Sequence, residues 1–411
     1  MAGARWTQPH LVDGYCHGVL SGDLGLGAFE AHLPGTAAPR TTLFDSPTGF
    51  AVRRWCPPLL GLEPHCPPAH YLARRRELGA CEAARLLLRG TGITDYLVDT
   101  GEPGELTPPK ELAAAGAASA YEIVRLEPLA QQVADTSGTA DAFLANLAEA
   151  IHGAAFSAAG FSCGDGAGAG TGRHARPAPE AHAGLSGPAY ASGAGYGIGP
   201  SGDGGGFGGA AASLGSGYGS RPPGPAEVRY AAGQWLGDRP VGGRPTSPVL
   251  LRHLLWQAVD SGLPLVLRQH AAGPGPLAAE DFLRATAGFG TDVVLLPGPP
   301  HESAAADLAA ALPHVYVGLG TDPAAVLARA PFGKVLHASG AVGLPELYVT
   351  GARGFRAALD RLVAERVGAG EWSAADGQRV AALVGQGNAR RVYRLPPVPE
   401  GRLPHPRFPL R

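Results

Sequence analysis

Short apolar runs that end in polar or small residues alternate along this chain with longer segments whose apolar positions recur at helical spacing. The first run, Leu11-Val12-Asp13-Gly14-Tyr15-Cys16-His17-Gly18, predicts a strand that presents side chains at its C-terminal end. Residues two apart in a strand face the same way, so Tyr15 and His17 are expected to project together while Cys16 faces the other side. Further strands are predicted at 94–101, 122–127, 155–161, 263–270, 292–296, 314–318 and 334–338. Helical patterns fall at 69–89, 111–120, 140–152, 248–261, 278–287, 303–312 and 323–330, and two more, 345–367 and 373–385, follow the last strand. The proline-rich segment 20–68 reads as a long irregular loop beyond the first strand, a common place for a substrate lid. About eight strands alternating with helices predict a closed parallel (β/α)8 barrel. The alternative is a doubly wound open sheet, whose dinucleotide-binding form is disfavoured because no G-x-G-x-x-G opens a helix after the first strand.

Composition adds one anomaly to this pattern. Of the 62 glycines, 21 fall between Gly164 and Pro225, in a Gly/Ala/Ser/Pro tract with isolated aromatics. Such a stretch buries too little apolar surface to offset its chain entropy, so a disordered insertion is predicted there. The chain therefore divides into a first barrel half at 1–163, the low-complexity insertion at 164–226, a second half with C-terminal helices at 227–395, and a Pro-rich tail at 396–411. A net charge of −2 without a long Lys/Arg block argues against a nucleic-acid or anionic-membrane surface. A small-molecule substrate or ligand is the expected partner, with a homo-oligomer left open. No apolar stretch is long enough to span a bilayer and the first residues lack a hydrophobic signal core, so a cytoplasmic location is expected. The five cysteines are odd in number and scattered, which suits a reducing compartment.

Candidate chemistry is sparse. Arg53 and Arg54 form a pair able to grip a carboxylate. Cys56, His65, Cys66 and His70 have the wrong spacing for a zinc finger and are interrupted by prolines. Metal-dependent hydrolysis on a barrel needs ligands on the C-terminal tips of several strands, with one coordination position open for water.

Four blocks carry a resemblance: residues 11–18; Leu43-Phe44-Asp45-Ser46 with Arg53-Arg54-Trp55-Cys56; Gly343-Leu344-Pro345-Glu346-Leu347-Tyr348; and Asn388-Ala389-Arg390-Arg391-Val392-Tyr393-Arg394-Leu395. Together they resemble the amidohydrolase-related family, and within it the glutamine-synthetase-associated, FluG-like group. The resemblance spans nearly all of the chain outside the Gly-rich tract. It implies a TIM barrel of the metal-dependent hydrolase type, a divalent metal of the zinc type, and hydrolysis of C–N bonds in amide or glutamyl-type substrates. It also implies a His-x-His pair on the first strand, a His on the fifth, another near the sixth and an Asp after the eighth.

Here His17 holds the second position of the pair and Tyr15 the first. Arg268 stands in the fifth-strand position, with His270 two residues on and on the same face. Pro297 replaces the sixth-strand His, Gly340 the Asp, and Ser162 a lysine that often follows Gly-Phe on the fourth strand. His17 and His270 are thus the implied metal ligands, too few for a tight zinc centre, so metal binding is expected to be weak or absent. Two readings follow. One is a hydrolase of this type with reduced or lost activity. The other is a non-catalytic descendant that binds a ligand or partner in the old pocket, holding a carboxylate with Arg268, Arg53 or Arg54.

Overall fold

The computed structural model of the protein describes residues 10–101, 104–164, 218–269, 273, 275–320 and 322–397. Most of the Gly-rich tract, His270 and most of the Pro-rich tail lie outside the described residues. Eight strands hydrogen-bond in sequence order as one parallel sheet: β1 (Leu11–Cys16), β2 (Ile93–Asp99), β3 (Ser119–Arg125), β4 (Gly160–Gly164), β5 (Leu265–Arg268), β6 (Val293–Leu296), β7 (Val315–Leu319) and β8 (Val335–His337). The segment just past β8 meets β1, with Gly340 N–H donating to Tyr15 O at 2.9 Å and His17 N–H donating to Ala341 O at 2.9 Å. The architecture is the expected (β/α)8 barrel.

Side chains alternate between the two faces of the sheet. Val12, Leu97, Ile123, Val266, Val294 and Leu336 fill the barrel interior. Leu11, Val98, Leu265, Leu267, Val293 and Leu295 pack outward with helix residues such as Leu254, Phe282 and Leu359. Strands buried on both faces are nearly all apolar, which is why these runs stand out in the sequence.

The elements differ from the sequence expectation in ways that have local causes. Residues 69–89 form two helices, Pro68–Leu78 and Ala80–Arg89, because Gly79 at φ +76° cannot continue a right-handed helix. The helix expected at 111–120 is Pro109–Gly116; it ends at Ala117, and β3 starts at Ser119. The segment 20–68, expected to be irregular, carries short helical elements at Leu26–Glu30, Leu43–Asp45, Pro47–Trp55 and Pro57–Leu60 joined by irregular stretches. Pro47, Pro57 and Pro68 each open a helical element, where the missing N–H has no partner to lose. Ser46 Oγ caps Pro47–Trp55 by accepting from Gly49 N–H at 3.0 Å. At the edges of the Gly-rich tract, Gly164 belongs to β4 and Pro225 opens the helix Pro225–Asp238.

The helices after β1 build a satellite layer around Phe29, Phe44, Val52 and Tyr71, which packs on Leu344 and Val349 beyond β8. Arg75 and Glu346 form a buried ion pair there at 2.8 Å, and Tyr71 Oη donates to the same carboxylate at 2.7 Å. At the opposite end, Ala389, Val392 and Tyr393 close the base of the barrel interior. Asn388 Nδ2 donates to Phe332 O and Val335 O at the start of β8, and Arg390 pairs with Asp95 near the start of β2. Both C-terminal blocks that carried the resemblance therefore act in packing.

Candidate functional site

The C-terminal ends of the strands open into a cavity of about 460 Å³, lined by Tyr15 and His17 from β1, Arg268 and Gln269 from β5, Pro297 beyond β6, and Ser339 and Gly340 beyond β8. Tyr15 and His17 do project together, their rings 5.2 Å apart and edge to face, while Cys16 packs outward. Asp99 at the tip of β2 is buried beside them. Its Oδ2 accepts from Tyr15 Oη at 2.6 Å, Ser162 Oγ at 2.5 Å and Arg125 Nε at 3.1 Å, and its Oδ1 accepts from Gly101 N–H at 2.8 Å. Burial alone would raise the Asp99 pKa, but Arg125, His17, Arg268 and the Ser162 hydroxyl outweigh it and hold the carboxyl at about 2. His17 Nδ1 lies 3.0 Å from the Asp99 carbonyl oxygen, a contact that requires the ring proton on Nδ1.

This donor set does not fit a metal ion. The Asp99 oxygens are already taken by four protein donors, and two guanidinium groups, Arg125 and Arg268, supply positive charge beside it. Among the described residues no group of three or more His, Cys, Asp or Glu side chains is arranged to hold a metal. Of the implied ligands, His17 is at the site and His270 lies outside the described residues. Gly340, which the resemblance puts where an Asp was expected, has φ +61° at the cavity rim. Ser162, in the lysine position, serves Asp99.

Of the expected carboxylate-binding arginines, Arg268 alone lines the cavity. Arg53 and Arg54 sit on the helix Pro47–Trp55 in the satellite layer. There Arg53 pairs with Asp45 at 3.4 Å and lies over Phe50, and Arg54 lies over Trp55. Both arginines, expected to grip a carboxylate, instead find partners within their own layer.

Behind the cavity wall, Asp13 is fully buried and accepts from Ser339 N–H at 2.8 Å and Ser339 Oγ at 2.5 Å. Burial pushes its carboxyl up to about 7 against the lowering effect of these bonds. Beside β4, Glu127 Oε1 accepts from Gly164 N–H at 2.7 Å. Asp13, Asp99, Arg125, Glu127 and Gln269 had no role in the sequence reading. The signal for Asp99 and Arg125 was weak but present, since each stands at or near the polar end of a predicted strand.

No family model matches the chain, and no curated protein matches it. Among solved structures, the chain is similar to a protein from Lactobacillus casei ATCC 334 described as a metal-dependent hydrolase, with a TM-score of 0.68, 18% identity, and 94% of this chain and 96% of that one covered. It is also similar to uronate isomerase from Thermotoga maritima, with a TM-score of 0.60, 11% identity, and 94% of each chain covered. At these identities the likeness is one of fold: the chain shares the TIM-barrel architecture of these structures.

Proposed function

We propose that the barrel mouth binds a small carboxylate-bearing molecule, and that this chain hydrolyses C–N bonds weakly or not at all. The observation that carries the reading is Arg268, whose charged side chain lines the cavity at the end of β5. A guanidinium cannot shed its charge. A carboxylate satisfies both the charge and the planar fork of donors. The neighbouring Asp99 is not available for this, being held by Arg125, Tyr15 and Ser162.

The test is calorimetric titration with short monocarboxylic and dicarboxylic acids and their methyl esters. The acids should bind and the esters should bind at least about tenfold more weakly, because the ester removes the charge-assisted bonds. Arg268→Met should abolish the difference. Equal affinity for acid and ester, or unchanged affinity in the variant, would overturn the reading.

The second reading is a metal-dependent hydrolase of amide or glutamyl-type substrates, in the FluG-like group. Its support is the barrel likeness to the Lactobacillus casei protein and the presence of His17 at the mouth. The donor set around Asp99 counts against it. In either case we take the partner to be a small molecule rather than nucleic acid or a membrane, and the location to be cytoplasmic. The near-neutral charge and the five cysteines without a disulfide support this, and no helix among the described residues is long and apolar enough to cross a membrane.

A further inference from the structure

Arg268 pairs in register with Gly164 at the end of β4. Alternation turns both residues toward the barrel interior, since Phe161, Cys163, Leu265 and Leu267 pack outward. The glycine leaves a gap on that inner face. A Cβ at Gly164 would stand 3.2 Å from Glu127 Oε1 and 3.3 Å from Arg268 Nη2, so the two side chains flank the same missing group. Glu127 comes from the first turn of the helix Leu126–Asp135, which starts directly after β3. It is buried, and its Oε1 accepts from the Gly164 N–H at 2.7 Å. That donor is a neutral amide. The charge of Glu127, unlike that of Asp99 beside Arg125, is therefore not offset by a contacting cation among the described residues, and it acts on the guanidinium across the gap.

We propose that Glu127 is a positioning residue for Arg268: its carboxylate draws the guanidinium toward β4 and competes there with the carboxylate of the ligand. The inference rests on the carboxylate reading above and adds the group that sets its strength. Two carboxylates near one guanidinium repel each other, so the ligand binds against a standing negative charge. Removing that charge while keeping the bond to Gly164 strengthens the binding of an acid and leaves an uncharged ester indifferent.

The experiment titrates the full-length wild type, Glu127→Gln and Glu127→Asp calorimetrically with short monocarboxylic acids and their methyl esters. Gln keeps an acceptor for the Gly164 N–H and loses the charge; Asp keeps the charge but is too short to hold that bond. Glu127→Gln should bind the acids at least about threefold more tightly than the wild type, with ester affinity unchanged within about twofold. Glu127→Asp should show no such gain. A role confined to fastening β4 gives the opposite pattern, a neutral Gln variant and an impaired Asp variant, and would overturn the proposal. So would a gain shared by acid and ester, or a Glu127→Gln protein that fails to fold while Glu127→Asp folds, since the charge would then serve stability. A wild type that prefers acid to ester, with no gain in Glu127→Gln, removes Glu127 and leaves Arg268 in place. No preference for acid over ester in either protein overturns both.

Discussion

Asp13 on β1 and Asp99 on β2 are both buried, and their surroundings hold them in opposite protonation regimes. Asp99 has a guanidinium beside it and stays ionised; Asp13 has only a hydroxyl and amide groups, and burial raises it from 3.8 to about 7. The consequence for stability follows from linkage. Above the ordinary carboxyl pKa the unfolded chain releases the Asp13 proton while the folded chain keeps it, so this group's contribution falls as pH rises from about 4 to about 7 and then levels off. Asp13→Asn, which keeps the shape and an acceptor for Ser339, should remove that decline. Denaturant unfolding of both proteins at about pH 5 and about pH 8 checks this. The variant should gain stability relative to the wild type at the higher pH, on the order of a few kcal/mol. A difference that does not change with pH would mean that Asp13 is not held protonated by the fold.

At the scale of elements, Gly79 shows what a glycine between two helices does. Its φ of +76° turns the chain between Pro68–Leu78 and Ala80–Arg89, and nothing lies within 4 Å of where a Cβ would stand. Gly79→Ala meets no neighbouring atom, but φ +76° with ψ +154° is a conformation essentially reserved for glycine, so it should cost about 1–3 kcal/mol, measured by thermal unfolding. A larger loss would indicate that the helix pair itself is displaced. The same region marks how far the sequence could be read. Most strands were legible because their faces are both buried, which makes runs such as Leu265-Val266-Leu267 apolar throughout; β4 was not, lying at Gly160–Gly164 where 155–161 was expected, and Ala155 ends the helix Ala140–Ala155. The elements Pro47–Trp55 and Pro57–Leu60 were not legible, because Pro47 and Pro57 look alike whether they break a helix or begin one. At the site, Tyr15, His17 and Arg268 were legible as strand-tip residues. The Asp99 cluster was not, because Tyr15, Asp99, Arg125 and Ser162 come from four different strands and only closure of the barrel brings them together. Glu127 was equally hidden: it faces Arg268 only across the tip of β4, a neighbourhood that no local pattern records.

For the molecule as a whole, the barrel's base and its mouth have separate duties. The C-terminal helices plug the base through Ala389, Val392 and Tyr393, and Glu346 ties the satellite layer to the helix after β8 through Arg75. The mouth is built on guanidinium charge, with Arg125 neutralising Asp99 and Arg268 facing the cavity. Hydrolysis of a C–N bond in this fold would need ligands to hold a metal and a group to move a proton, and the residues at Tyr15, Pro297 and Gly340 supply neither in the expected places. The most direct test is turnover of amide, N-acyl and glutamyl substrates by the full-length protein supplemented with zinc, assayed beside His17→Ala. The account predicts negligible turnover that is the same in both proteins. Metal-dependent turnover at an ordinary enzymatic rate, abolished by His17→Ala, would contradict it.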